Sequence, residues 1–284
     1  MATIINGKEV SKNLREEMKN ESALFEAQTG VKPGLAVIIV GDDPASQIYV
    51  RNKGLACEEV GFYSEIHRLP AETTEAELLE LVHSLNKNEK IHGILVQSPL
   101  PSHLDEALIV NNIDYNKDVD AFHPVNVGKI MIGDYNFLPC TPAGVMELLK
   151  AYDIDVTGKE VAVVGRSNIV GKPQAMLMLH SNATVTICHS RTKNLSEVLR
   201  RADVVVMAIG KAKFLKGDMI KEGAVVIDVG MDRDENGKLC GDVDFDECEK
   251  KASFITPVPG GVGPMTITML MKNTLTAAKT QVKK

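Results

Sequence analysis

Short apolar runs alternate with longer stretches of helical period along the first hundred residues. GLAVIIV (34–40) predicts a buried strand and ASQIYVRNKGLACEEV (45–60) a helix. FYSEIHRL (62–69), a helix near 74–88 and GILVQ (93–97) follow, and a further helix is expected to start around His103. Repeated strand–helix alternation implies a parallel sheet covered on both faces. The pattern then breaks. Residues 111–130 are polar and irregular, and PCTPAG (139–144) is rich in turn formers. After a helix over GVMELLKAY, a second series begins, with strands at 161–165, 183–189, 203–209 and 224–230. A loop at 255–264 leads to a last helix, TITMLMKNTLTAAKT.

The expectation is therefore two α/β domains. One spans 1–143 and is completed by the C-terminal segment 260–284; the other, 144–259, is a Rossmann-like unit with a parallel sheet. The 284 residues carry a net charge of −6, which argues against a general nucleic-acid surface. Lys283 and Lys284 read as a solvated tail. No apolar run is long enough to span a membrane, and the N-terminus lacks a secretory h-region. The five cysteines form no C-x-x-C and fit reduced thiols in a cytoplasmic protein. Seven scattered histidines lack ligand spacing, so no metal site is expected.

The turn EVAVVGRSNIVGKP (160–173) carries the first chemistry. A strand, a glycine turn and a helix N-terminus favour a phosphate. Yet the G-x-G-x-x-G fingerprint is absent: after Gly165, Arg166 takes a spacer position and Ser167 replaces the second glycine. An NAD site places an acid at the end of the second strand for the ribose 2′-OH. Here that end reads HSRT, offering Ser190 and Arg191. Hydroxyl and guanidinium donors suit an added 2′-phosphate, so NADP is favoured over NAD. A helix start with nearby surface arginines is the plain alternative.

In the first half, Tyr49 and Lys53 lie four apart on one helix face, which Ala56 and Val60 continue. Lys53 is either a snorkelling side chain or a desolvated amine able to exchange protons. Gln97 ends a strand where ligands bind in parallel sheets, although it also reads as a loop cap. In KDVDAFHP, Asp118 and Asp120 point the same way if the stretch is extended. A carboxylate there can pair with an aminopyrimidine edge or be a solvated loop acid; a similar DVDF at 242–245 makes the tripeptide undiagnostic. PVPGGVGPMT (257–266) permits close backbone approach to a ligand, or simply forms a rigid turn.

Together, YVRNK, VQSPLP, KDVDAFHP, PCTP, VVGRSNIVGKP, HSRT, IDVG and TPVPGGVGPMT resemble the bifunctional methylenetetrahydrofolate dehydrogenase/methenyltetrahydrofolate cyclohydrolases of bacterial type, nearly end to end. The resemblance implies NADP-dependent oxidation of methylenetetrahydrofolate to the methenyl form, then hydrolysis to 10-formyltetrahydrofolate, in a cleft flanked by the two domains. It implies a cytoplasmic homodimer in one-carbon interconversion and purine biosynthesis. By this likeness Lys53 is the proton-transfer lysine, Gln97 its partner, Tyr49 the stacking ring and Asp120 the pterin anchor. Val96, Gln97 and Ser98 would line the substrate, and the loop Pro259, Gly260, Gly261, Val262, Gly263, Pro264 would close over it. Gly165, Arg166 and Ser167 would hold the pyrophosphate, with Ser190 and Arg191 at the 2′-phosphate and Met231 near the nicotinamide. A dehydrogenase lacking the hydrolase, or a non-catalytic folate- or NADP-binding regulator, is the rival reading.

Three positions depart from the family pattern. Ser98 stands where a bulky apolar residue is common, Met231 where Ile is, and Ala121 where Gly follows the acid. If that position needs φ > 0, Ala121 strains the loop that carries Asp120.

Overall fold

The structure, a computed structural model, describes residues 1–282; the Lys283–Lys284 tail lies outside the described residues. In chain order the elements are β1 (Thr3–Ile4), α1 (Gly7–Thr29), β2 (Gly34–Val40), α2 (Pro44–Glu59), β3 (Tyr63–Leu69), α3 (Glu75–Lys87), β4 (Gly93–Val96), α4 (Glu106–Asn112), α5 (Pro124–Ile132) and α6 (Cys140–Ala151). They continue with β5 (Glu160–Val164), α7 (Gly171–His180), β6 (Thr184–Cys188), α8 (Leu195–Arg201), β7 (Val204–Met207), β8 (Val225–Asp228), β9 (Asp232–Arg233), β10 (Leu239–Cys240), α9 (Phe245–Cys248), β11 (Phe254–Ile255) and α10 (Val262–Val282).

These elements form two α/β units. One joins Met1–Lys12 to Thr141–Thr266; the other joins Asn13–Cys140 to the chain from Ile267 onward. The second unit holds a three-stranded parallel sheet, β3-β2-β4, with Ala36 opposite Glu65 on one side and Ile94 on the other. Its central strand is buried at every position, which is why GLAVIIV is apolar throughout rather than alternating. Its core gathers Ile38, Leu78, Val82, Ile94 and Ile109. The first unit holds a six-stranded parallel sheet ordered β1-β11-β8-β7-β5-β6. Val164, Val205, Met207, Val226 and Ile255 fill its core.

Local chemistry corrects four expectations. The helix expected from His103 starts at Glu106, because the Asp105 carboxylate accepts from the N–H of Ala107 (2.9 Å) and Leu108 (3.1 Å). The irregular stretch 111–130 runs into α5, with Pro124 in its first turn, His123 Nδ1 accepting from Val125 N–H (3.1 Å), and Gly133 at φ +79° ending it. PCTPAG opens α6 rather than forming turns; Pro142 sits in the first turn, where no backbone N–H is needed. The last helix begins at Val262, so part of the expected loop is helical. The N-terminal helix α1 was not expected at all. Its interior face carries Ser11 and Ser22 with Met18 and Phe25, at helical spacing in an otherwise polar stretch.

The five cysteines are buried and unpaired. Among the described residues no helix is long and apolar enough to cross a membrane, and no group of three His, Cys, Asp or Glu could hold a metal.

Candidate active site

In the unit built on β3-β2-β4, the Asp43 carboxylate caps α2 by accepting from Ser46 N–H (2.8 Å), with Pro44 in the first turn. This fixes a helix whose buried side carries Val50, Ala56, Cys57 and Val60. Lys53 is half-buried on the border of that side, and Tyr49, one turn earlier, is exposed. Gln97 follows the end of β4, where its own N–H still donates to Ile38 O (2.8 Å). There the Lys53 Nζ donates to Gln97 Oε1 at 2.8 Å, and Gln97 Nε2 donates to Ser98 O at 2.6 Å. The Ser98 hydroxyl donates to the Glu106 carboxylate, so the polar residue at this position is tied to the start of α4.

Burial lowers the Lys53 pKa, while Asp120 and then Cys140 act in the opposite direction. Asp120 is pushed up to about 6, chiefly by burial, against the pull of Lys53. The two carboxylates of KDVDAF do not share a direction, because the chain turns instead of extending: Ala121 N–H donates to Asp118 O at 3.1 Å. Asp118 is structural; its Oδ2 accepts from His123 N–H and Asn126 Nδ2, both at 2.8 Å. Ala121 is fully buried at φ +59°, so the condition for strain is met. Cys140 joins the site unannounced by the sequence. Its thiol lies 3.6 Å from Asp120 Oδ1, and burial, then Asp120, raise its pKa well above the ordinary value, so it donates as a thiol. The one sequence signal was its place in PCTP. Lys117, in the same run as the acids, is also structural: its Nζ donates to Leu85 O (3.2 Å) and Asn88 O (2.8 Å), closing the end of α3.

In the other unit the glycine turn leaves no room for side chains. Gly165 has φ +140°, and a Cβ there would stand 2.3 Å from Ala208 O. A Cβ on Gly171 would stand 2.3 Å from Gly165 O, so strand and helix meet backbone to backbone. The Ser167 hydroxyl oxygen accepts from Val170 N–H (3.1 Å) and Gly171 N–H (3.3 Å), closing the turn in place of the second glycine. A cleft of about 310 Å³ opens beside it, with Gly165, Arg166, His189, Ser190, Lys211 and Phe214 in its wall. Arg191 and Met231 are not part of that wall. The Arg191 N–H donates to His189 Nδ1 (3.1 Å) within the HSRT turn. Lys211 was missed by the sequence reading. Its loop is held by Asp242, from the discounted DVDF, whose carboxylate accepts from Ile209 N–H (2.7 Å) and Lys211 N–H (2.6 Å). Asp228 of IDVG is pushed up to about 7 by burial and accepts from Asp242 N–H (3.0 Å) and Val243 N–H (2.9 Å).

The stretch Pro259–Pro264 lies in this same unit. Gly260, at φ +108°, accepts through its carbonyl from Lys8 N–H (3.1 Å), and a Cβ on Gly7 would be 1.8 Å from Gly261 O. Gly261 and Val262 are buried, and a Cβ on Gly263 would be 3.5 Å from Met231 Cε, which brings Met231 beside this stretch. Lys53, Gln97 and Asp120 thus come together in one unit. The glycine turn, Ser190, Met231 and the 259–264 stretch belong to the other.

Comparison with known proteins gives a consistent result. The profile described as "Tetrahydrofolate dehydrogenase/cyclohydrolase, catalytic domain" matches residues 5–120, and the one described as its "NAD(P)-binding domain" matches 139–282. The chain is 61% identical over 282 residues to "Bifunctional protein FolD" of Acetivibrio thermocellus, covering 99% of each. It is similar to the crystal structure of the bifunctional FolD enzyme of Campylobacter jejuni, at TM-score 0.97 and 51% identity, with 99% of this chain and 100% of that one covered. It also resembles the dehydrogenase-cyclohydrolase of Trypanosoma brucei complexed with NADP cofactor and inhibitor, at TM-score 0.95 and 43% identity, covering 100% of this chain and 99% of that one.

Proposed function

The chain belongs to the tetrahydrofolate dehydrogenase/cyclohydrolase family, and we propose that it oxidises methylenetetrahydrofolate with NADP and then hydrolyses the methenyl product to 10-formyltetrahydrofolate. The observation that carries this reading is the desolvated Lys53 amine held at 2.8 Å on Gln97 Oε1. A snorkelling lysine would keep its amine in water with its pKa unmoved.

The glycine turn fits a dinucleotide, since Gly165 and Gly171 let strand and helix N-terminus meet backbone to backbone and the turn opens on a cleft walled by Gly165, Arg166 and Ser190. When bound, NADP⁺ supplies the acceptor for the hydride that leaves the folate methylene carbon. Arg166 would offer a guanidinium fork to the pyrophosphate, and Ser190 a hydroxyl to the 2′-phosphate. Asp120, in its ionised form, accepts the N–H pair of the pterin edge, and Tyr49 provides a ring face for stacking. In hydrolysis, Lys53 as the neutral amine takes a proton from the water that adds to the methenyl carbon. The same lysine, now charged, returns a proton to N5 as the C–N5 bond breaks; the carbinol hydroxyl gives its proton to the freed amine, and through it to solvent, as the carbonyl forms, leaving the formyl group on N10. Gln97 Oε1 accepts from the amine in both states and binds the ammonium more strongly, so it sets the balance between them.

Val96, Ser98 and the stretch Pro259, Gly260, Gly261, Val262, Gly263, Pro264 complete the proposed folate contacts, with Arg191 and Met231 on the nucleotide side. The protein works as a cytoplasmic homodimer; unpaired buried cysteines suit a reducing compartment.

The test mixes protein, methylenetetrahydrofolate and NADP⁺ and follows NADPH and methenyltetrahydrofolate absorbance together, beside Lys53→Met. Both activities predict NADPH without methenyl build-up in the wild type and build-up in the variant. Equal accumulation in both removes the hydrolase. Binding of both ligands with neither signal leaves a non-catalytic binding protein.

A further inference from the structure

Asp120 is followed by a buried alanine in the left-handed region, φ +59°, a conformation that an L-residue keeps only where its surroundings over-determine it. One side chain from the far end of the sequence meets this turn. Asn273, on α10 and buried, donates one amide hydrogen to Val119 O at 2.8 Å and the other to Leu138 O at 2.8 Å. Its nitrogen also lies 3.7 Å from the Cys140 sulfur, and the Cys140 thiol in turn reaches Val119 O and Asp120 Oδ1, both at 3.6 Å. The carbonyl immediately before Asp120 and the segment entering α6 are therefore tied to one planar amide. That amide has both hydrogens engaged by carbonyls.

We infer that Asn273 is a positioning residue for folate recognition: its amide grips the strained 119–121 turn and so aims the Asp120 carboxyl at the substrate. This rests on Asp120 being the pterin anchor. Without the amide, Leu138 O loses this donor, Val119 O keeps only the weak Cys140 thiol, and the turn relaxes toward a right-handed backbone at Ala121, which swings Asp120. Asn273 does not touch substrate, so its effect falls on folate KM rather than on the proton chemistry of Lys53. A glycine at 121 takes the positive φ without the strap and should remove the dependence on Asn273.

The experiment measures KM and kcat for methylenetetrahydrofolate in the wild type, Asn273→Ala, Ala121→Gly, the double variant, and Asp120→Asn as reference. The expected result is a KM raised about tenfold in Asn273→Ala, which is about 1.4 kcal/mol, with kcat within about threefold. Adding Ala121→Gly should bring KM back to within about threefold of the wild type, a clear non-additivity. A purely structural amide would lower Tm and the yield of active enzyme, leave KM unchanged and show no rescue; that result overturns the inference. If Asn273→Ala does not fold, Asn273→Ser and Cys140→Ala loosen the same turn more gently. Raised KM that Ala121→Gly corrects supports the inference, and unchanged KM in both refutes it. If Asp120→Asn raises KM and the Asn273 variants do not, only the positioning role falls. If Asp120→Asn leaves KM unchanged, the pterin-anchor reading falls and takes the inference with it.

Discussion

Replacing Gln97 tests the Lys53 assignment in both directions. Gln97→Leu keeps the approximate volume but removes the Oε1 that accepts from Nζ at 2.8 Å. A hydrogen bond to a charged group contributes about 1.5–3 kcal/mol, and Lys53 is only half-buried, so the lower end applies. The neutral amine loses its own weaker bond of about 0.5–1 kcal/mol, so at about 1.4 kcal/mol per pH unit the net loss for the ammonium is equivalent to about half a unit. The lysine already sits below its ordinary value through burial, so the loss adds to that displacement. Hydrolysis needs the neutral amine, and its rate therefore falls on the acid side. Gln97→Leu should move that acid limb to lower pH by about half a unit. Gln97→Glu places an opposite charge beside the ammonium and should move the limb to higher pH by about one to three units. The assay is methenyltetrahydrofolate hydrolysis in single buffers across the pH range, with the spontaneous rate subtracted and Lys53→Met as the baseline. Limbs that stay in place, or that both move the same way, would refute the claim that this lysine titrates in the reaction.

Three further outcomes are expected. Asp120 is pushed up to about 6 and binds the pterin edge as the carboxylate, so folate KM should rise as pH falls through 6 and lose that dependence in Asp120→Asn. Gly171→Ala places a Cβ 2.3 Å from Gly165 O, a backbone atom that cannot step aside, and should weaken NADP⁺ binding at least tenfold in a fluorescence titration. Ala121→Gly should leave Tm nearly unchanged, because relief of about 1–2 kcal/mol of left-handed strain is offset by about 0.8 for the lost buried methyl and about 0.4–1 for a freer unfolded chain; a large loss in urea melts would show that the turn is unstrained.

The two parallel sheets were legible because parallel strands are buried on both faces and read as unbroken apolar runs, as in GLAVIIV and EVAVV. The nucleotide turn was legible for a related reason: glycine and its missing Cβ are visible in the sequence itself. Side-chain partnerships were not. Lys53 and Gln97 are 44 residues apart, and periodicity alone left each with a bland reading until the family likeness paired them. The departure at Ala121 could be read from residue identity, but its positive φ could not. α1 does carry a helical period, but in a stretch that is polar overall and with two serines among its buried positions. Cys140 was hidden by Pro142, which signals a turn unless it falls in the first turn of a helix. Asp242 entered only as part of a second DVDF that made the tripeptide undiagnostic; the fold shows it enclosed, each carboxylate oxygen accepting from a backbone N–H.

Neither unit is a continuous length of chain: the one with Lys53 needs residues from 267 onward, and the one with the glycine turn needs residues 1–12. Domains of most proteins can fold in order as they are synthesised, N-terminal first. Here the ribosome has made Lys53, Gln97 and Asp120 long before it makes Asn273, which grips the turn beside Asp120. The nascent chain therefore carries the lysine chemistry in an unfinished unit, and proton transfer waits for the final helix. A chain that stops before Asn273, or is cut between the units, should yield no half-enzyme with one of the two activities.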